Sequence, residues 1–214
     1  ECKIFDMKLV ELILKKNIAT VWLNRPEVHN AFNMEMIDSL IKIMSELNDN
    51  KEIRAIVFRG RGKSFSSGAD LNYMKKVAKF NYKDNLSDAR KLAELFYLIY
   101  SSQKFTLSVV HGFIGGGANG IVAACDFVLA EKQSKFRFSE LRLGLIPATI
   151  SPYVLHRCGY IHSLNVMLSA ETFSAKKAKK IALINKVTGL ENLEESLAEI
   201  LLMYLSAAPS AMIQ

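Results

Sequence analysis

The sequence is poor in the residues and segments on which several protein classes depend. Its three cysteines, Cys2, Cys125 and Cys158, are odd in number and lack metal-ligand spacing, which argues against a disulfide scaffold or a cysteine-bound zinc ion. No apolar run is long enough to span a membrane, and the sequence shows no signal-peptide pattern. These absences predict a cytoplasmic protein with no membrane partner.

Histidine is also scarce, and nothing in its placement indicates a metal site. The four histidines share no common spacing and are predicted to be structural: His29, His111, His156 and His162. The sequence therefore predicts no bound metal.

Charge of one sign is not concentrated in any segment. Lys and Arg number 28 against 21 Asp and Glu, which gives a net charge of +7 and a pI of about 9.3. This excess suits an anionic ligand such as a nucleotide, and it suits solubility equally well. Because the basic residues are scattered and no face combines them with aromatic residues, nucleic-acid binding is disfavoured.

What is present is the pattern of a single α/β domain. Residues 9–23 predict a β-hairpin, and Asn33 predicts the N-cap of an amphipathic helix. Residues 54–59 predict a buried strand. The polar stretch 72–87 predicts a mobile, ligand-gated or poorly packed loop, before an amphipathic helix over residues 89–100.

The central feature is a strand that runs into three glycines. Residues 105–111 predict a buried strand, Gly115, Gly116 and Gly117 follow, and residues 118–125 predict a helix of small residues. Such a turn leaves N–H groups unpaired at a helix N-terminus, and the missing Cβ atoms let a ligand oxygen approach them. The pattern fits a site for developing negative charge, and it fits a turn that only allows close packing equally well.

A second candidate is Glu140, which lies among large apolar residues. Phe136 and Phe138 precede it, and Leu141 and Leu143 follow it. Desolvation by such neighbours raises the pKa of a carboxyl group towards the working range of a general acid or base. The local context leaves a second interpretation open, a salt-bridged or exposed residue at the end of a strand.

These motifs belong to a longer ordered set. A Phe-Ser-Ser-Gly-Ala-Asp-Leu motif ends the segment 54–71, and the glycine turn lies within 112–126. Further segments follow the same order, at 23–26, 30–32, 140–147 and 168–171. Together, over nearly the whole chain, they resemble the crotonase (enoyl-CoA hydratase/isomerase) superfamily.

The resemblance implies a fold and an assembly. It implies a crotonase-like α/β spiral of repeated β-β-α units in residues 1–189. Residues 190–214 would begin a C-terminal helical region that is short or missing compared with relatives, and residues 193–205 predict an amphipathic helix there. Relatives assemble as homotrimers or dimers of trimers, and the same is expected here.

The resemblance also implies a catalytic set. In the family, backbone N–H groups at the positions of Ala69 and Gly116 hold the thioester oxygen, and Glu140 acts as acid and base. Asn119 stands where many hydratases carry a second glutamate. Its amide cannot act as a base and is expected to orient the attacking water.

Coenzyme A is expected only as part of the substrate, with no permanently bound cofactor. The backbone at Ser67, Gly68, Asp70 and Leu71 is similar to the part that holds the adenine. The cationic side chains that are expected to meet the phosphates are Arg25, Arg61 and Lys63.

The activity implied is that of an enoyl-CoA hydratase, a lyase. Residues 140–154 look like hydratases of branched substrates such as 3-methylglutaconyl-CoA, which would place the protein in leucine or acyclic terpene breakdown. Two alternatives remain open: a 3,2-enoyl-CoA isomerase that uses the same glutamate, and a non-catalytic acyl-CoA-binding or RNA-binding protein.

Overall fold

The structure is a computed structural model that describes residues 2–6 and 8–207. The strands are β1 (Cys2–Asp6), β2 (Val10–Lys15), β3 (Ile18–Leu23), β4 (Ala55–Gly60), β5 (Phe105–Val110), β6 (Phe113–Gly115), β7 (Phe127–Glu131), β8 (Lys135–Arg137), β9 (Phe173–Ser174) and β10 (Lys186–Thr188). The helices are α1 (Met34–Asp49), α2 (Leu71–Val77), α3 (Tyr82–Tyr100), α4 (Ala118–Ala124), α5 (Ser151–Cys158), α6 (Tyr160–Ser169), α7 (Ala175–Lys180) and α8 (Leu193–Leu205). Short 3₁₀ turns lie at Pro26–Val28, Glu140–Leu143 and Leu190–Asn192.

The larger sheet has the strand order β1-β2-β3-β4-β5-β7-β10. The first three strands pair antiparallel, and β3, β4, β5, β7 and β10 pair in parallel. Lys16, with φ 55°, turns the chain between β2 and β3, so the predicted hairpin over residues 9–23 is confirmed. The parallel strands are nearly continuous apolar runs because helices and loops cover both faces of this part of the sheet.

A smaller sheet, β6-β8-β9, lies beside the ends of the parallel strands. The chain leaves β5 for β6 and then α4, and it leaves β7 for β8 and then the turn at Glu140–Leu143. Each winding therefore adds one strand to each sheet, which confirms the predicted α/β spiral. The three-glycine turn and Glu140 both follow strands of the smaller sheet, and this brings them to the same end of the molecule.

Helix α1 packs its apolar stripe on the larger sheet, and the predicted N-cap is confirmed. The Asn33 side chain accepts a hydrogen bond from the Met36 N–H at 2.9 Å. The buried residues of this helix are Met36, Ile37, Leu40, Ile43, Met44 and Leu47. They join the main core with β2, β3, α3 and α4.

The prediction of a loop at residues 72–87 is wrong. These residues form α2 and the first turns of α3. Both helices start at side-chain caps: Asp70 accepts from Asn72 and Tyr73, and Asn81 accepts from Asp84. Because α2 buries none of its residues, no apolar period marks it in the sequence, and local capping accounts for its start.

Helix α8 packs on the other face of the larger sheet, and its predicted bounds of 193–205 are confirmed. Leu193, Leu197 and Ile200 join a second core cluster with Val57 and Phe105. The proposed boundary at residue 189 thus falls just before a helix that shares the core of the sheet. The end of the expected C-terminal region, residues 208–214, lies outside the described residues. Within the described ranges, no helix is long and apolar enough to cross a membrane.

Candidate active site

A cavity of about 300 Å³ opens where the loops after β4, β6 and β8 meet. Its lining contains one acidic side chain, the carboxylate of Glu140. The lining residues are Ser67, Ala69, Leu71, Met74, Gly116, Gly117, Arg137, Ser139, Glu140, Arg142, Leu143 and Leu145.

The loop that presents Ala69 is held by backbone pairing. Phe32 N–H donates to the Gly68 carbonyl at 2.7 Å, and Asp70 N–H donates to the Phe32 carbonyl at 2.9 Å. Gly68 has φ +90°, and a Cβ there would lie 2.6 Å from the Gly115 carbonyl oxygen, so only glycine fits. Within the described residues, the Ala69 N–H between these bonds has no acceptor. It is therefore available to a ligand oxygen at the cavity.

The glycine turn also lines the cavity and lies against the loop that presents Ala69. Gly116 has φ +45°, and a Cβ there would lie 3.4 Å from Glu140 Oε1. The carboxylate thus sits directly against the turn. The Gly116 N–H donates to the Arg137 carbonyl at 2.9 Å, so a ligand oxygen would have to share this donor.

Glu140 begins the 3₁₀ turn that follows β8, and its side chain is partly buried. Its Oε2 atom is buried and has no hydrogen-bond partner in the described part of the chain. Burial raises the pKa of this carboxyl above its usual value, although backbone hydrogen bonds at Glu140 and Ser139 oppose the shift. A desolvated carboxylate with a raised pKa can both accept and return a proton near neutral pH.

Asn119 is fully buried in the first turn of α4. Its Nδ2 donates to the Gly116 carbonyl at 3.1 Å and to the Arg137 carbonyl at 3.0 Å. Asn119 is absent from the described cavity lining, where a water-orienting amide would have to be. The structure thus places it behind the glycine turn, as a support for that turn.

The residues predicted to hold coenzyme A are divided between two environments. Ser67 and Leu71 line the cavity, and Leu71 is 71% exposed. Asp70 caps α2 and pairs with Arg25 at 3.1 Å, with both side chains about 12–13% exposed. Burial by itself would raise the pKa of Asp70, but hydrogen bonds from Tyr73, Arg25 and Asn72 outweigh it and lower the pKa.

Two of the three cations predicted to meet phosphates are already engaged. Arg25 also donates to the Ala31 carbonyl at 2.7 Å. Arg61 forms two hydrogen bonds with Glu11 and stacks on Trp22 at 3.8 Å. Lys63 is exposed, and it does not line the described cavity.

Sequence reasoning missed several lining residues. Met74 falls in the stretch 72–87, which was predicted as a loop, and Arg142 was included only as part of a motif. The Arg142 guanidinium has no hydrogen-bond or ion-pair acceptor among the residues that the structure describes. An arginine two positions from the candidate base was a signal for an anionic part of a ligand.

The other reactive residue types have structural surroundings. His29 contacts the Ser64 hydroxyl at 3.2 Å, and His111 contacts the Gly62 carbonyl at 2.8 Å. Cys125 is buried, and burial raises the pKa of its thiol. In residues 2–6 and 8–207, no group of three or more His, Cys, Asp or Glu side chains is placed to hold a metal ion.

Comparisons with known proteins identify the family of the chain. The model of the family "Enoyl-CoA hydratase/isomerase" matches residues 14–214. The short-chain-enoyl-CoA hydratase of Clostridium acetobutylicum is 30% identical over 213 residues, covering 96% of this chain and 79% of its own. The crotonyl-CoA hydratase of Syntrophomonas wolfei is 29% identical over 191 residues, covering 87% and 72%.

A crystal structure of an enoyl-CoA hydratase from Shewanella pealeana superposes with a TM-score of 0.94 at 34% identity. The match covers 97% of this chain and 78% of that one. The fold is therefore that of these proteins, and the family match covers nearly all of the sequence. The chain belongs to the enoyl-CoA hydratase/isomerase family.

Proposed function

We propose that this protein adds water across the 2,3 double bond of 2-enoyl-CoA thioesters. The observation that carries the proposal is the Glu140 carboxylate, partly buried and unpaired at Oε2, against the Gly116 turn. Ala69, whose N–H has no acceptor within the described residues, lines the same cavity. A proton-transfer group and oxyanion donors thus share one small cavity.

The reaction follows from this arrangement. The thioester oxygen accepts a hydrogen bond from the Ala69 N–H and shares the Gly116 N–H with the Arg137 carbonyl. This polarises the conjugated system and makes the β-carbon electrophilic. Glu140 takes a proton from water, the hydroxyl adds to the β-carbon, and the electron pair moves to the thioester oxygen. Protonated Glu140 then returns its proton to the α-carbon, which completes the addition of one water.

The rate effects expected of these groups are large enough for catalysis. Removing one well-placed oxyanion donor typically costs about 10²- to 10³-fold in rate. A positioned general acid or base contributes about 10²- to 10⁴-fold. Glu140 carries both proton transfers because it is the only acid among the described lining residues.

We also propose an acyl chain with a distal carboxylate, such as 3-methylglutaconyl-CoA. Arg142 lines the same cavity as Glu140 and lacks an acceptor within the described residues. Arg142 is exposed, so a substrate carboxylate would replace water at its guanidinium with charge-assisted hydrogen bonds.

The preference for a distal carboxylate is tested with Arg142→Gln on two substrates. The variant should lose about 10- to 100-fold in kcat/KM for 3-methylglutaconyl-CoA, the range expected for a hydrogen bond to a charged group. Its kcat/KM for crotonyl-CoA, which has no distal carboxylate, serves as the control and should stay near the parent value. Equal losses on both substrates would contradict this substrate class.

A 3,2-enoyl-CoA isomerase is the second candidate, because a single carboxylate is enough to move one proton between the α- and γ-carbons. The hydratase assay follows the loss of absorbance of a conjugated 2-enoyl-CoA, and the isomerase assay follows its appearance from a 3-enoyl-CoA. The proposal expects hydration to be the faster reaction. Isomerisation without hydration would replace the proposal by the second candidate.

Assembly as a trimer or a dimer of trimers remains part of the proposal. The outer face of α6 exposes a row of apolar side chains, Tyr160, Ile161, Leu164 and Leu168. Such a face supports association. Sedimentation equilibrium of the purified protein measures it directly.

A further inference from the structure

Asn119 joins two of the three chain segments that build the cavity. It lies at the start of α4, just after the glycine turn, and its side chain is fully buried. Its Nδ2 group reaches the Gly116 carbonyl on the turn and the Arg137 carbonyl at the end of β8. Glu140 follows three residues after Arg137, so the amide joins the oxyanion turn to the segment of the candidate base.

The orientation of the amide follows from its surroundings. Two carbonyl oxygens lie within 3.0–3.1 Å of Nδ2, and a reversed amide would set Oδ1 against both of them. Both amide hydrogens are therefore used. Oδ1 is buried and has no partner in the described ranges, which makes donation the only satisfied role of this side chain.

The Arg137 carbonyl links Asn119 to the oxyanion donor, because it accepts hydrogen bonds from both the Asn119 amide and the Gly116 N–H. It receives the Gly116 N–H at 2.9 Å and the Asn119 amide at 3.0 Å, one bond for each lone pair. When a thioester oxygen takes a share of the Gly116 N–H, the bond from this N–H to the Arg137 carbonyl is weakened. A carbonyl left unpaired in a buried place costs free energy, and the bond from Asn119 prevents that.

We propose that Asn119 is a positioning residue that frees the Gly116 N–H for the oxyanion by keeping the Arg137 carbonyl paired. This inference rests on the proposed function. Asn119 acts through Gly116 and Arg137 and touches no reacting atom. The effect grows as negative charge develops on the thioester oxygen, so it appears in kcat more than in KM.

The geometry disfavours two other roles. A water-orienting amide needs a free donor or acceptor in the cavity, whereas both amide hydrogens of Asn119 are bound elsewhere and its buried Oδ1 belongs to a residue outside the described cavity lining. A second carboxylate at this position would only accept hydrogen bonds, and it would face two carbonyl oxygens. The site therefore contains one carboxylate, and the Asn119 amide stabilises backbone carbonyls of the site.

The test compares Asn119→Ala and the isosteric Asn119→Asp with the parent enzyme. One readout is steady-state hydration of crotonyl-CoA. The other is the infrared band of a bound enoyl-CoA with a ¹³C-labelled thioester carbonyl, which reports polarisation without turnover. Ser163→Ala is the matched control, since the buried Ser163 hydroxyl also lies within hydrogen-bond distance of two backbone carbonyls, those of Val154 and Gly159, away from the cavity, and donates its one hydrogen there.

Both Asn119 variants should bind the thioester with nearly the parent KM and lose about 10- to 100-fold in kcat, the range for loosened positioning of reacting groups. Their carbonyl band should shift less on binding than the parent band does. The control should lose stability and keep both kcat and the band. If Asn119→Asp has the same kcat and the same carbonyl band position as the parent, the inference is overturned. This holds even if Asn119→Ala does not fold.

Faster hydration by Asn119→Asp would also overturn it, since that indicates a second acid or base at this position. A parent that shifts the carbonyl band but does not hydrate the substrate refutes the proposed function alone. In that case the band in the variants still decides the role of Asn119. A parent that binds no enoyl-CoA refutes both.

Discussion

Glu140→Gln is the perturbation that separates the chemistry of the site from its shape. It replaces one carboxylate oxygen by an amide nitrogen and preserves the size of the side chain. Glu140 lies against the Gly116 turn and has an unpaired, buried Oε2. The substitution removes the only acidic group from the described cavity lining, while the donors at Ala69 and Gly116 stay in place.

The expected change in activity is large. Loss of a positioned acid and base lowers kcat by about 10²- to 10⁴-fold. KM for crotonyl-CoA should stay close to the parent value, because the substituted group makes no proposed contact with the coenzyme A moiety. Stopped-flow and steady-state absorbance of the conjugated thioester measure both constants.

The expected change in stability has the opposite sign. Burial raises the pKa of Glu140 above the usual 4.5, so the unfolded chain binds protons less tightly at this group than the folded one. Ionised Glu140 therefore destabilises the fold at pH values above its folded pKa, and this penalty is absent below the pKa of the unfolded chain. The Gln variant should be more stable than the parent at pH 8, and the difference should shrink as the pH falls through the acid range.

Urea unfolding at several pH values provides the check. The combination of a slower and more stable variant with unchanged KM is the signature of a desolvated catalytic carboxylate. A variant that keeps most of its activity would show that Glu140 is not the proton-transfer group. The free energy of unfolding of the variant minus that of the parent should be larger at pH 8 than at acid pH. A smaller difference at pH 8 would contradict the desolvation argument.

Two further predictions concern the loop that presents Ala69. Asp70→Ala should lower the free energy of unfolding by about 2 kcal/mol because it removes the α2 cap and the pair with Arg25, whereas Asp70→Asn keeps the cap and should cost about half as much. Equal losses in urea unfolding would contradict the capping role. Gly68→Ala should cost more than Gly144→Ala, because both have positive φ but only the Cβ at 68 meets backbone, at 2.6 Å from the Gly115 carbonyl oxygen. The strain alone costs about 1–3 kcal/mol at either position, and equal thermal shifts would refute the steric argument.

Sequence patterns predicted the elements that bury an apolar face. The stripe of α1 and its Asn33 cap, the hairpin and helix α8 were all predictable, because each depends on spacing within one segment. The stretch 72–87 was not, since α2 contacts little of the core. Its start depends on the Asp70 cap, and a cap without an apolar period is a weak signal.

The sequence predicted which residues line the cavity better than it predicted which side chains contact each other. The resemblance named Ala69, Gly116 and Glu140, and the structure brings all three to one cavity. Arg25 was assigned to a phosphate on its positive charge, and nothing in the sequence marked its partner, Asp70, which lies 45 residues away. Such long-range pairing is decided by the fold, and no local pattern reveals it.

Asn119 shows the same limit. Its position on the helix after the glycines suggested a group facing the substrate, in place of a glutamate. The structure turns its amide to two backbone carbonyls, because the turn itself leaves them close together. Which carbonyls meet across β6 and β8 depends on strand register between segments about twenty residues apart, so spacing alone could not predict these two contacts.

The most direct test of the account is the fate of the oxygen atom of water. The parent enzyme and Glu140→Gln are incubated with crotonyl-CoA in ¹⁸O-labelled water, and the product is analysed by mass spectrometry and NMR. The account predicts a 3-hydroxyacyl-CoA with one ¹⁸O on the β-carbon from the parent, and formation of this product slowed by about 10²-fold or more in the variant. Equal labelling rates in parent and variant, or a parent that only moves double bonds and incorporates no ¹⁸O, would contradict it.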